Sequence, residues 1–534
     1  MDKTKDILEN FVSIRSGSYH FLARPRRFGK SLICSVVNEL FRGDAKLFEG
    51  LYIYDKWDFL AEKCPVIHIQ IDLFPCDSVK EFVDRLSRFL HELAADNDIS
   101  IPTEVCDIDE QLAVLIKQLY RKYRKQVVVI IDEYDAPIHN CIDRPEELEY
   151  LRAKLSRFYG ILKPLQQYLR LVYITGILKF SNLSLFSKLN NIEDHTFSLN
   201  LSHICGYTRS ELESNFMHYL EHFAQEHSMS HDELMLALTE KFNGYCFAVD
   251  TRPNKSLPPK VYNPFAINRA LKECTFDDKW IESGHCGYLV ALIMKKRASG
   301  RALENVTIPL DDLQSISTPS NLSIECLMYY AGYSTICNYN RDSNQVTLTP
   351  PNASIGRNVM KEISNTISRG KVDNEDLLLA RELVKEIFSE VYHHQDGGSG
   401  DGSVLQRHAE AVTTIMNRIV LLFPHQLLRN NRTLESTYNV MFSSFLRLGC
   451  SDHRYLGKEL STSTGDIECA IESANGKVVA IFEFKNRQSV HIAMDQIKSK
   501  GFAKVHRKEK TILVAINVTE QMAAEVLIEI VSNR

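Results

Sequence analysis

Between Ser18 and Phe41 the pattern of apolar positions changes twice. Tyr19 to Ala23 is a mostly apolar and aromatic run of strand length, and Arg24 to Ser31 is a basic loop. Leu32, Ile33, Val36, Val37, Leu40 and Phe41 then recur at helical spacing, so the stretch reads strand, loop, helix. Val127 to Ile131 are five β-branched residues in a row, the signature of a strand covered on both faces in a parallel sheet. Val66 to Asp72 after Pro65, Leu171 to Thr175 ending at Gly176, and His195 to Leu199 read as further strands. The segments between them are helical. Ser78-x-x-Glu81 forms a capping box ahead of Val79, Phe82, Val83, Leu86, Phe89, Leu90 and Leu93 on one face. Ile108, Leu112, Leu115, Ile116, Leu119 and Tyr123 mark a second helix, and Pro145 to Leu169 is largely helical. This alternation predicts a doubly wound α/β domain over residues 1–205.

The texture differs beyond Gly206. Thr208-x-x-Glu211 is a capping box opening a helix through Phe216 and Leu220, and His231 to Phe242 is another helix. Asn243-Gly244-Tyr245 and Val261 to Phe265 are turn-rich, which makes 206–300 a helical lid or a rigid spacer. Residues 301–404 form a connector carrying LMYYAGYSTI and VTLTPPN, ending in the flexible linker Asp396 to Ser403. Residues 405–534 read as a small α/β domain in the order helix (Glu435 to Leu448), strands (Asp466 to Glu472 and Val478 to Lys485), helix (Gln488 to Lys500), strand (Thr511 to Val518) and a closing helix. Asn475-Gly476 is the hairpin turn between the paired strands.

Two stretches carry chemistry in the first domain. Strand, Gly-Lys-Ser, helix is how a polypeptide cradles phosphate: backbone N–H groups of Arg27, Phe28, Gly29, Lys30 and Ser31 face the anion. Lys30 adds a point charge for the β- and γ-phosphates, and the Ser31 hydroxyl can hold Mg²⁺. The usual first glycine is replaced by Arg24, with Pro25 available to set the turn instead. Alone, the loop could equally be a basic turn before an ordinary helix. Asp132-Glu133, closing the Val127 strand, changes that balance: an acid there holds Mg²⁺ through water, and the next acid orients the attacking water. Together they point to ATP and Mg²⁺.

In the last domain Glu483 and Lys485 share one face of their strand, while Phe482 and Phe484 take the other. Asp466, on the preceding strand, can lie near Glu483. Two carboxylates around one hard cation suit Mg²⁺ or Mn²⁺, which can activate water at a phosphodiester, with Lys485 offsetting charge. A degenerate nuclease fold kept for DNA binding or packing is the alternative.

The MDKT start, FLARPRRFGKSL, IDEYD, ITGILKFS and VYNPF resemble the AAA-ATPase-like family, whose members commonly end in a PD-(D/E)XK nuclease-like domain. RPRRFGKS is the usual loop of that family, which absorbs the missing glycine. The family usually has additional residues before the Asp2-Lys3-Thr4 seen here, so this N-terminus reads as shortened. The resemblance implies Thr175 as γ-phosphate sensor, with Lys179 as a second candidate. It also implies Asp466, Glu483 and Lys485 as the nuclease triad, Glu435 as the first-helix acid and Gln496 as the polar residue of the following helix. Thr464-Gly465-Asp466 departs from the more usual Gly-Arg before the aspartate, losing one phosphate contact but no metal ligand. The expected function is an ATP-hydrolysing P-loop protein coupled to a metal-dependent DNA nuclease. The alternative is a nucleotide-dependent regulator or scaffold whose nuclease-like domain only binds nucleic acid.

Bulk properties narrow this only slightly. At 534 residues, two to four domains are expected. A formal net charge of −5 gives no overall basic field, so contact with DNA must use local patches: Arg24 to Arg27, Arg121 to Lys125, or Lys504 to Lys510. Each can equally be a solvated face. Thirteen scattered cysteines without a CxxC pair indicate reduced thiols, and the polar start lacks a signal peptide. No apolar run reaches a membrane span, so the expectation is an intracellular, cytoplasmic protein off the membrane. His139-Asn140-Cys141 is too isolated for a metal site. Self-association is left open.

Overall fold

The computed structural model describes the chain except residues 14–16, 75–77, 142–143, 180–190, 253–254, 278–305, 315–322, 353, 357, 360–373, 390–401, 422–441, 444, 448, 451–452, 457–460, 463–464, 467–468, 500–508 and 533–534. Two compact units emerge. The first is Met1–Trp280 with Thr307–Asn352, and the second is Ile281–Val306 with Ala353–Arg534.

The first unit is built on five parallel strands: β1 (Ser18–Ala23), β2 (Val66–Gln70), β3 (Val127–Asp132), β4 (Leu169–Gly176) and β5 (Ile192–Asp194), in the order β2-β3-β4-β1-β5. Every residue of β3 is buried, which explains its unbroken apolar run. Helices Lys30–Arg42, Val79–Asp96, Ile108–Tyr123 and Pro145–Gly160 alternate with the strands. Because all strands run the same way, the carboxyl ends of β1, β3 and β4 lie along one edge, where ligands of such sheets bind.

Several sequence expectations need correction. β2 stops at Gln70, and Ile71–Leu73 turns as a 3₁₀ helix. Ser78 does cap its helix, but Glu81 completes no box; its carboxylate takes the Arg85 guanidinium at 2.8 Å. The edge strand is Ile192–Asp194, not His195 to Leu199, because the Asp194 side chain accepts the Thr196 N–H at 2.9 Å and turns the chain. Both capping residues are reciprocally bonded in helix Arg209–Glu226, which bends at Phe216. Helix His231–Phe242 matches its predicted bounds. Val261 and Tyr262 form isolated bridges to Tyr245 and Tyr207. Pro264 then opens helix Pro264–Glu273 with Asn263 as its cap, so the predicted turn is half helix start. The predicted connector contributes a three-stranded sheet of β6 (Val306–Pro309), β7 (Thr335–Asn340) and β8 (Gln345–Thr349) beside helix Ile324–Ala331. The linker Asp396 to Ser403 lies almost wholly outside the described residues, with Gly402 already opening helix Gly402–Leu421.

In the second unit, β9 (Arg454–Tyr455), β12 (Cys469–Glu472), β13 (Val478–Asn486), β14 (Lys510–Val518) and β15 (Ala524–Ser532) form a sheet in the order β15-β14-β13-β12-β9. Only β13 and β14 are parallel, joined through helix Val490–Ser499. Ala493, Met494 and Ile497 of that helix pack on Val479, Ile481, Leu513 and Ala515. The strand predicted over Asp466 to Glu472 is two pieces: β11 (Gly465–Asp466) pairs with β10 (Ser461–Thr462), and β12 pairs with β13. The closing helix is instead strand β15. Val526, Ile528, Ile530 and Val531 are β-branched, and β14 offers them an open edge. Among the described residues no helix is long and apolar enough to cross a membrane, and none of the eleven described cysteines is in a disulfide.

Candidate nucleotide site

β4 separates β1 from β3, so the loop and the acids are brought together by the helix leaving the loop. Gly29, at φ +94°, gives the left-handed residue that starts helix Lys30–Arg42, and no side chain caps that helix. Its first N–H groups therefore point toward an anion position without intrahelical partners. Lys30 is only 3% exposed, and its ammonium lies 3.3 Å from the Pro25 carbonyl and 3.2 Å from Glu133 Oε1. Asp132 is buried at the end of β3, and its Oδ1 has no hydrogen-bond partner. A buried carboxylate oxygen without a partner is costly unless a cation takes it, so Asp132 fits Mg²⁺, with the exposed Ser31 hydroxyl as the other oxygen ligand. Glu133 sits at φ +53°, a strained setting for a non-glycine. Burial pushes its carboxyl above the usual range, with Lys30 opposing and Asp135 and Asp132 reinforcing.

The rest of IDEYD is a latch. Asp135 is buried, and its carboxylate accepts the N–H groups of Ile177 and Leu178 at 3.1 and 2.7 Å. Tyr134 donates its hydroxyl to the Leu178 carbonyl, and Tyr159 donates to the Tyr134 carbonyl. Gly176 makes this possible: a Cβ there would run into Asp135 Oδ1 and the Tyr134 ring. IDEYD and ITGIL are thus two halves of one contact, which holds the acids at the carboxyl edge of the sheet. Thr175 is buried beside them, and its hydroxyl donates to the Leu22 carbonyl at 2.7 Å, so its proton serves the β4–β1 pairing. Lys179 is ion-paired with Asp194 at 2.7 Å.

The model of the predicted AAA-ATPase family matches residues 1–186. A protein of Azotobacter chroococcum mcd 1, described as an uncharacterized protein in the vnfD 5' region, is 31% identical over 516 residues, spanning 95% of this chain and 90% of that one. The chain belongs to the predicted AAA-ATPase family. The solved structure of the Aeropyrum pernix ORC2 protein, in ADPNP–ADP complexes, covers 68% of this chain and 94% of its own at 11% identity; its TM-score of 0.25 is too low to carry an argument.

In this AAA-ATPase-family chain the unusual first loop position has a physical explanation. Arg24 is not a phosphate contact. It is buried, and its guanidinium donates to the carbonyls of Ala23, Thr196 and Leu201 at 2.7–3.0 Å while stacking on Phe247 at 4.6 Å. The Phe28 side chain is also unavailable to nucleotide: it is buried edge-on against Tyr245 and Phe247, at 4.7 and 5.1 Å. Arg27, left-handed at φ +67°, lays its guanidinium over Phe265 at 4.6 Å. The Phe28 side chain is thus packed inward, and the Arg27 guanidinium is engaged on an aromatic face. Tyr245, Phe247 and Phe265 belong to the helical region, so NGY and NPF are where that region grips the loop. Gly244, at φ +110°, has Pro351 against the place of its missing Cβ, and a Cβ on Gly332 would come within 2.8 Å of Pro25. The predicted connector therefore also touches the loop. Sequence reading named these motifs but missed Tyr245, Phe247, Phe265, Asp135 and Gly176 as site residues; the Asn-Gly-Tyr and Asn-Pro-Phe turns were the available signal for Tyr245 and Phe265.

In the second unit Glu483 and Lys485 are both buried, 3.6 Å apart, on the β13 face that carries Val479 and Ile481. Phe484 stacks on Phe442 at 5.2 Å on the other face. Gln496 is half-buried on helix Val490–Ser499. Asp466 lies in β11 with its backbone paired to Ser461, while its side chain and all of Glu435 fall outside the description. Of the basic patches, Lys122 is paired with Asp98, and Lys125 donates to the Leu60 and Ala61 carbonyls.

Proposed function

We propose that the first unit binds ATP with Mg²⁺ and hydrolyses it, and that the second unit is a PD-(D/E)XK-type, metal-dependent nuclease domain acting on DNA. The observation that carries the first half is the uncapped helix start whose first residue, Lys30, puts its ammonium 3.2 Å from Glu133, next to the buried Asp132 with its unpartnered Oδ1. Lys30 shifts from Glu133 and Pro25 to the β- and γ-phosphates as nucleotide enters, and the freed Glu133 carboxylate orients water on the γ-phosphorus. The backbone N–H groups of residues 27–31 hold the phosphate chain in line. Asp132 and Ser31 would hold Mg²⁺, which supplies charge neutralisation at the β- and γ-oxygens. The Thr175 hydroxyl already donates its proton to the Leu22 carbonyl and has no second donor for a γ-phosphate, so Thr175 would act by holding the strand end beside the site, as a positioning residue.

For the second half, support comes from the buried Glu483–Lys485 pair on a hairpin-connected central strand. Glu483 and Asp466 would hold Mg²⁺ or Mn²⁺, and Lys485 would stabilise charge on the phosphodiester. Phosphate release from ATP by the wild type against Lys30→Ala tests the ATPase; equal rates would remove it. DNA cleavage with Mg²⁺ or Mn²⁺ against Glu483→Ala tests the nuclease, and equal residual cutting would leave a domain that only binds.

A further inference from the structure

We propose that His20, Glu193 and His195 form a binding site for a divalent transition metal of the zinc class at the outer edge of the parallel sheet. The three residues come together through strand geometry. His20 of β1 stands directly across from Glu193 of β5, and directly opposed residues share a face. His195 lies two positions beyond Glu193, where the chain is still bonded to β1 through the His195 N–H and the Phe21 carbonyl at 2.9 Å. A two-residue step along an extended chain returns to the same side.

The resulting triangle is tight. His20 Nδ1 lies 2.9 Å from His195 Nε2, and Glu193 Oε2 lies 3.7 Å from the first and 4.0 Å from the second. A point equidistant from the three atoms is about 2.1 Å from each, the length of a zinc bond to imidazole nitrogen or carboxylate oxygen. Both carboxylate separations are too long for hydrogen bonds, so Glu193 is oriented toward the pair without bonding it. The imidazoles are held in place: their rings stack with 27° between planes, and the edge of Phe11 abuts both, at 5.6 and 5.1 Å. His20 and His195 are buried, whereas the Glu193 side chain is 59% exposed and gives the ion a route from solvent.

A hydrogen bond between the two imidazoles explains their approach but not the carboxylate aimed at it. The buried His20 Nε2 lacks a partner in either case, so it does not favour one arrangement over the other. Two imidazoles and one carboxylate suit zinc or a neighbouring transition ion better than Mg²⁺ or Ca²⁺, with water at the open position. The neighbouring Asp194 is bonded to Lys179 and stands apart from the set. A metal here would tie residues 193–195 to β1 just before the phosphate loop. The next residue, Thr196, already accepts the Ala23 N–H on its hydroxyl and the Arg24 guanidinium on its carbonyl, at 3.1 and 2.7 Å.

The test uses the full chain, stripped of metal by chelation, titrated with Zn²⁺ by calorimetry and with Co²⁺ by visible absorption. Glu193→Ala is the decisive variant because the side chain is exposed and no helix or core contact depends on it. The wild type should take up one equivalent that Glu193→Ala binds at least tenfold more weakly and that His195→Asn loses. Co²⁺ should give the wild type a four- or five-coordinate visible spectrum that both variants lack, and Zn²⁺ should raise the melting temperature of the wild type more than that of Glu193→Ala. Unchanged zinc affinity and an unchanged cobalt spectrum in Glu193→Ala would overturn the assignment.

Discussion

Lys30 is the residue on which the nucleotide site turns, because without ligand it is already desolvated and held by one carboxylate and one carbonyl. Lys30→Ala removes the only buried cation facing the acids among the described residues of the loop other than Arg24, whose guanidinium is committed elsewhere. Nucleotide affinity should fall at least about tenfold, the scale of one charge-assisted contact to phosphate, as read by equilibrium binding of a fluorescent ATP analogue. Glu133→Gln should behave differently: binding is kept and hydrolysis falls by about a hundredfold or more, the usual size of a lost proton acceptor. Since burial raises the Glu133 carboxyl, hydrolysis should decline on acidification starting above the ordinary carboxylate range, and Glu133→Gln should lose that acid limb. Unchanged pH profiles in both proteins would refute Glu133 as the water-orienting group. At this scale the sequence named Gly29, Lys30, Ser31, Asp132 and Glu133 because short motifs state which atoms a phosphate needs, and the structure brings Lys30 and Glu133 to 3.2 Å. The inward turn of Arg24 and Phe28 was not legible, since a basic or aromatic residue in a loop reads as a ligand contact until burial shows its side chain turned into a core; Arg27 is half-buried and lies over the Phe265 ring instead.

At the scale of elements, the long strands and helices followed from period and burial. β3 is an unbroken β-branched run, and helices Ile108–Tyr123 and His231–Phe242 begin and end where their patterns do. The short edge strand β5 and the terminal strand β15 did not follow, because an edge is chosen by its neighbour. An Asp194 turn fixes one, and the open side of β14 recruits the other. The same reasoning makes the latch testable. Gly176→Ala places a methyl against Asp135 and Tyr134, both buried and bonded, so neither can move aside freely. The expected cost is about 1–3 kcal/mol, the range for overpacking a tight core, read as a lower denaturation midpoint. Phe28→Ala empties the slot between Tyr245 and Phe247 and should cost about 3 kcal/mol while also loosening the phosphate loop, so that ATP affinity falls with stability. If Phe28→Ala lost stability with no loss of ATP binding, the grip of the helical region on the loop would have no role in the site.

At the scale of the whole molecule, the chain carries two acidic metal-binding candidates that differ in kind. Asp132 and Glu133 lie where parallel strands end, and under the proposed function their chemistry would be addressed to a triphosphate at the start of the Lys30 helix. Glu483 lies in the middle of a mixed sheet with Lys485 beside it, and no uncapped helix start of the kind found at Lys30 accompanies it among the described residues. These different settings predict separable losses. Lys30→Ala should abolish ATP turnover while leaving nuclease metal binding intact, and Glu483→Ala should abolish DNA cleavage while leaving ATP turnover at the wild-type rate. If nucleotide state governs access of DNA to the second unit, cleavage by the wild type should change between ATP and no nucleotide. Cleavage by Lys30→Ala should then be the same in both conditions. Cleavage that ignores nucleotide in the wild type would mean that the two chemistries share a chain without sharing control, and a Glu483→Ala protein that also loses ATP turnover would mean that the substitution acts on folding rather than on a metal ligand.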